Sequence, residues 1–197
     1  MRLLHSAFVL AFAPVAVAQT PWRAPLTEAQ QIASAVLPLP TEYRDSATVL
    51  GYRADSPTLV TLRQGAGPFT CLASDPSGAR FHVACYHRSL EPFMARGRAL
   101  RAQGITGDKV DTVRFAEVKS GKIAMPTQPA ALYSLTGPEG SYDPATNVIS
   151  GARPLFVIYI SGATAASTGL SAKPQAGAPW IMLPGTPKAH IMLTPKM

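Results

Sequence analysis

The chain has 197 residues, of which 47% are hydrophobic and 15% are charged, and its net charge is +7 at pH 7. Hydrophobic residues recur along the whole length, which excludes an intrinsically disordered chain despite the 19 prolines and 15 glycines. This composition is typical of a globular protein with short strands and many turns.

Residues 1–18 have the three parts of an export signal. Arg2 supplies the positive start, an almost wholly apolar run follows, and Ala16-Val17-Ala18 is an A-x-A cleavage motif. The run has about fifteen residues, fewer than the roughly 20 that span a bilayer, so an uncleaved membrane anchor is the weaker alternative. We expect cleavage after Ala18, no transmembrane segment in the mature chain, and a periplasmic or secreted bacterial protein.

The mature chain begins with a helix and continues with strands. Thr27 and Gln30 have the spacing of a capping box, and Pro38 ends the helix that they begin. Alternation of apolar and polar residues predicts strands over residues 48–53, 58–63, 69–73 and 81–87. Turn-forming residues separate them, so we expect four consecutive strands in an antiparallel meander.

Helical spacing follows, and strands then return. One helix begins at Ser89 and ends at Gly104, and a second runs from Thr106 to Gly121. Three further strands are predicted, over residues 131–135, 155–160 and 189–193. A long loop over residues 137–151 separates the first of them from the second. The apolar run of residues 155–160 indicates a central strand that is buried on both faces.

These elements predict one α+β domain over residues 19–197. We expect an antiparallel sheet of five or six short strands, packed against two or three helices. No internal repeat and no linker divides the chain.

Cys71 and Cys85 are the only cysteines, and they lie in the strands of the second predicted hairpin. If the turn is centred near Ser77 and Gly78, the two cysteines face each other. The oxidising environment outside the cytoplasm favours a disulfide between such a pair. We therefore predict a structural disulfide. The alternative is a zinc site that combines these thiols with His82, His87 or His190, but its spacing matches no standard zinc motif.

Catalytic motifs are absent from the sequence: it has no G-x-S-x-G, H-E-x-x-H or S-x-x-K. We expect no cofactor and no metal. A small hydrolase that uses a histidine as its base remains an alternative, because three histidines follow the signal segment.

The most suggestive polar residues are His87, Arg88 and Glu91, where a strand enters a helix, and His190 near the chain end. Positive side chains beside free backbone N–H groups favour an anion. Trp180 is a candidate for the floor of a shallow pocket. We predict ligand binding at His87, Arg88, His190 and Trp180.

Cationic side chains are concentrated in the helical region, without the aromatic platforms that nucleic-acid binding requires. We therefore expect no nucleic acid as a partner. The expected function is a binding or accessory domain whose partner is a small anionic ligand or an anionic envelope surface. A structural envelope protein is the third alternative.

Overall fold

The computed structural model describes residues 22–195. The predicted export signal, residues 1–18, and its cleavage site lie outside the described residues. Among the described helices, none combines the length and the apolar character needed to cross a bilayer.

Five α-helices and ten strands form in the described part of the chain, and a short 3₁₀ turn, Arg88–Leu90, leads into the third helix. The helices are α1 Glu28–Ala35, α2 Thr41–Arg44, α3 Glu91–Ala102, α4 Asp108–Lys119 and α5 Ala165–Thr168. The strands are β1 Thr48–Arg53, β2 Ser56–Arg63, β3 Phe69–Leu72, β4 Phe81–His87, β5 Ala130–Gly137, β6 Tyr142–Asp143, β7 Val148–Ile149, β8 Arg153–Tyr159, β9 Trp180–Met182 and β10 His190–Leu193.

Eight strands form one mixed sheet in the order β2-β1-β3-β4-β5-β8-β10-β9, and β6 pairs with β7 in a separate small sheet. The predicted antiparallel sheet of five or six strands with two or three helices is therefore wrong. β1 and β3 are parallel neighbours, because the chain leaves the edge strand β2 and crosses the beginning of β1 before it enters β3. This crossover replaces the predicted meander.

Helices cover both faces of the sheet, at different places. The face that carries Cys71 and Cys85, the disulfide face, packs against Ala35 and Val36 at the end of α1. The opposite face, the Tyr86 face, packs against Leu90 and Met94 at the start of α3. Strand β4 contributes to both clusters, through Cys85 on one face and Tyr86 on the other.

β8 is not buried on both faces, contrary to the prediction. Val157 and Tyr159, on the Tyr86 face, are buried, whereas Phe156 and Ile158, on the disulfide face, are only half-buried. An apolar run alone does not show whether both faces of a strand are covered by other elements. A short helix leaves the more distant strands of its face uncovered.

The predicted disulfide is confirmed. Cys71 and Cys85 are direct partners in the antiparallel β3–β4 pair, their sulfurs are bonded, and neither residue is exposed. The capping box at the start of α1 is confirmed as well, with reciprocal bonds between Thr27 and Gln30.

Candidate functional site

His87 and His190, which the sequence analysis assigned to one site, lie on opposite faces of the sheet. Side chains at directly paired positions share a face, and side chains of consecutive residues do not. One row of directly paired residues crosses the sheet and comprises Tyr86, Leu132, Val157 and Met192. His190 lies two residues before Met192 and therefore shares the face of this row. His87 directly follows Tyr86 and therefore lies on the opposite face. β5 and β8 also separate the two histidines.

His87 stabilises the turn that enters α3. Its Nδ1 accepts a hydrogen bond from the backbone N–H of Ser89, at 3.3 Å, and lies 2.8 Å from the Ser89 hydroxyl. Its ring packs edge-on against Phe69. These contacts give His87 a structural role on the disulfide face, whereas His190 lies on the Tyr86 face.

His190 and Trp180 do lie on the same face, on the neighbouring strands β10 and β9. His190 is only 5% exposed, and its ring stacks on Tyr159 with the ring centres 5.0 Å apart. Its Nδ1 donates to the carbonyl oxygen of Lys188 at 2.6 Å. Burial lowers the pKa of His190, and the nearby Lys188 charge lowers it further. The hydrogen bond to the Lys188 carbonyl raises the pKa, but the net shift is downward. His190 is therefore a neutral group packed in the interior.

An ion network adjoins His190. Asp111 on α4 binds the ammonium group of Lys188 at 2.8 Å and also pairs with the guanidinium of Arg114. Arg114 is 3% exposed, and its guanidinium lies over the Phe93 ring. Burial raises the pKa of Asp111, but the hydrogen bonds from Lys188 and Arg114 outweigh it, so the net shift is downward. One carboxylate therefore pairs with two cations, and the network keeps a net charge of about +1.

Arg88 lies at a different place, on the wall of an open cleft of about 320 Å³. The cleft lies beside the start of β1 and β3, and three threonines and the segment between β2 and β3 contribute to its lining. The lining also includes Thr48, Thr61, Thr70, Gly65, Gly67 and Glu91. We call this space the Arg88 cleft.

Two glycines allow the crossover that forms one wall of the Arg88 cleft. The Gly67 N–H donates to the carbonyl oxygen of Ser46 at 2.7 Å. A Cβ atom on Gly65 would lie 2.2 Å from that same oxygen, and one on Gly67 would lie 2.3 Å from the Ser46 hydroxyl. Only glycine permits so close a backbone approach, and this fixes the position of the crossover against β1.

The position of Arg88 follows from the same crossover. Its backbone N–H donates to the carbonyl oxygen of Pro68 at 2.7 Å, which ties the 3₁₀ turn to the crossover. The Arg88 side chain is exposed, and it forms no ion pair with any residue from 22 to 195. The guanidinium group therefore keeps its donors available to a ligand.

Among the described residues, Glu91 is the one acidic side chain on the lining, and its charge is already compensated. Arg98 donates to one carboxylate oxygen of Glu91 at 2.5 Å, and the Tyr86 hydroxyl donates to the other. Arg98 also donates to the Tyr86 oxygen at 2.7 Å. Burial of Tyr86, which is 1% exposed, and its bond to Glu91 raise the pKa of the hydroxyl, so it stays protonated. The remaining charge of the cleft is positive.

The chain matches no family model, and no curated protein or solved structure is significantly similar to it. The chemistry of the cleft therefore rests on its own residues.

Arg88 was among the predicted site residues, but the threonines and glycines that surround it were not. The available signal was the segment Gln64-Gly65-Ala66-Gly67-Pro68, which separates two predicted strands without the two-residue turn of a tight hairpin. Only the strand order shows that Thr48 and Thr70 lie side by side.

The zinc alternative lacks its thiolates, because Cys71 and Cys85 are bonded to each other. Between residues 22 and 195, no group of three or more potential metal ligands gathers at one place.

Proposed function

We propose that this chain is an exported binding protein that holds a small oxyanion in the Arg88 cleft. The observation that carries the proposal is the exposed Arg88 guanidinium, without a carboxylate partner among the described residues, beside a glutamate already neutralised by Arg98. A planar guanidinium donates two parallel hydrogen bonds to a carboxylate, sulfate or phosphate group. The hydroxyls of Thr61 and Thr70 offer further donors on the same lining.

The compartment is part of the proposal. The A-x-A motif after an apolar run supports export, and a buried disulfide is compatible with an oxidising environment. Loss of Arg2 with the signal leaves one positive charge fewer than the +7 of the full chain, and this balance favours the approach of anions to the protein from a distance.

Binding has more support than hydrolysis, because the hydrogen bonds of the histidines do not form a catalytic arrangement. His87 caps a turn, His190 is buried, and His82 lies on the surface with its Nδ1 2.8 Å from the Thr136 hydroxyl. Within residues 22–195, none of the three forms a hydrogen bond to a carboxylate that would orient it as a base.

Inorganic phosphate is the probe that tests the proposal, with chloride at equal ionic strength as the reference. At ten times the dissociation constant, phosphate should raise the melting temperature by roughly 3 to 6 °C. Arg88→Gln should abolish this rise. The matched control is Arg101→Gln, which removes an exposed arginine at the end of α3, outside the cleft. Equal rises in the protein, Arg88→Gln and Arg101→Gln would contradict the proposal.

A further inference from the structure

A second cavity, of about 250 Å³, lies at the other end of β4 from Arg88. Its walls come from residues 23–26 of the N-terminal segment, from α1, from the turn between β3 and β4, and from the β5–β6 connection. The lining includes Arg23, Leu26, Asp75, Arg80, Phe81 and Tyr142. We call this space the arm cavity, since residues 23–26 form an arm along it. Phe81 and His87 are the ends of a seven-residue strand, so the two cavities are about 20 Å apart.

The arm is held in place, so the cavity exists before any ligand arrives. Arg23 pairs with Glu139 and donates to the carbonyl oxygen of Gly78 at 2.5 Å. The side-chain amide of Gln31 on α1 donates to the Leu26 carbonyl oxygen at 2.8 Å. A preformed site loses less entropy when it binds a ligand.

The floor of the arm cavity is apolar and aromatic. The rings of Phe81 and Tyr142 stack with their centres 5.2 Å apart and an angle of 14° between their planes. Leu26 and Pro76 add aliphatic surface. Such a surface favours a flat apolar group, and the volume below about 300 Å³ restricts it to a small one.

One cation at the arm cavity has no ion-pair partner within the described range. Arg23 is occupied by Glu139, whereas Arg80 is exposed and forms no ion pair with residues 22–195. The nearby Asp75 has one carboxylate oxygen bound by both the N–H and the hydroxyl of Ser77. These hydrogen bonds orient Asp75 within the turn, and Asp75 keeps its charge because neither donor is a cation. Among the described residues, Arg80 is the cation of the lining that is free to receive an anionic ligand.

We propose that the arm cavity binds a small aromatic carboxylate. Its ring packs against Phe81 and Tyr142, and its carboxylate receives hydrogen bonds from Arg80. This site is independent of the oxyanion that we assign to the Arg88 cleft.

Phenylacetate, titrated into the folded protein by calorimetry, is the test probe. We expect saturable binding at concentrations up to ~10 mM, well above a dissociation constant of about 1 mM. Arg80→Gln, at an exposed position, should lower the affinity for phenylacetate at least tenfold. The neutral probe phenylacetamide should bind the unchanged protein at least tenfold more weakly than phenylacetate does. Ala24→Trp should also abolish binding, because Ala24 lines the cavity and the larger side chain fills it.

Arg88→Gln is the matched control and should leave phenylacetate affinity unchanged, while phosphate should not compete. Absence of saturable phenylacetate binding would overturn the proposal. Equal affinity of the protein and Arg80→Gln would overturn it too, because recognition would then not involve the carboxylate. Loss of phenylacetate binding in Arg88→Gln would place the ligand in the other cleft and would likewise overturn it.

Discussion

The ammonium group of Lys188 lies 2.8 Å from the carboxylate of Asp111, 77 residues earlier in the chain. This contact joins α4 to the segment that enters β10. Asp111 pairs at the same time with the buried Arg114, whose guanidinium donates to the Phe93 carbonyl oxygen at 3.2 Å. One carboxylate thus pairs with two cations at the boundary between the helices and the sheet.

Asp111→Asn should lower the free energy of unfolding by about 3 kcal/mol, because it leaves the Arg114 charge buried without its partner. Urea denaturation measures the difference. Asp108→Asn, in the first turn of the same helix, is the control and should change stability by less than about 1 kcal/mol. Equal effects of the two substitutions would show that the network contributes nothing specific.

Stability should fall when the pH drops below about 6.5, in part because of His190. Burial lowers its pKa in the folded protein, so the unfolded chain binds a proton more readily. The stabilising contribution is complete above the unfolded pKa and is lost as the pH falls through the folded one. The free energy of unfolding, measured at about pH 7.5 and about pH 5, should therefore decrease more in the original protein than in His190→Gln. Identical decreases would contradict this assignment.

Gly65→Ala should destabilise the fold by about 1 to 3 kcal/mol, because its Cβ would overlap the Ser46 carbonyl oxygen. Displacement of the crossover should also weaken phosphate binding. Denaturation and calorimetry check the two effects. Ala66→Ser, at the exposed position between the two glycines, is the control, and a loss of the same size there would refute the packing argument.

Replacing both cysteines, Cys71→Ala with Cys85→Ala, should lower the free energy of unfolding by about 3 kcal/mol. The native protein should react with thiol reagents only after reduction. A reducing agent should destabilise the original protein but not the double variant, and equal sensitivity of both would argue against the bond.

Local chemistry made several elements predictable from sequence. The Thr27–Gln30 capping box begins α1, and the turn near Ser77 fixes the register that pairs Cys71 with Cys85. Such features depend on residues close together in the chain. Helix α3 forms close to its predicted position, but Ser89 does not cap it: Ser89 lies in the 3₁₀ turn that His87 caps, and α3 begins at Glu91.

Features that depend on distant parts of the chain were not predictable. The parallel pairing of β1 with β3 arises from a crossover that passes Ser46, and no local pattern specifies this neighbour. β6, β7 and β9 have two or three residues each, too few to establish an alternation. The candidate site shows the same limit: Arg88 was identified beside a helix start, but its threonine neighbours come from other strands.

The most direct test of the account is a nuclear magnetic resonance titration of the isotope-labelled protein with inorganic phosphate. We predict saturable shifts of the backbone amide signals around the Arg88 cleft, at Thr48, Thr70, Gly65, Gly67 and Arg88, and their loss in Arg88→Gln. Shifts that instead grow without saturation, and that are spread over the exposed cations Arg101, Lys109 and Lys119, would contradict a binding site at Arg88.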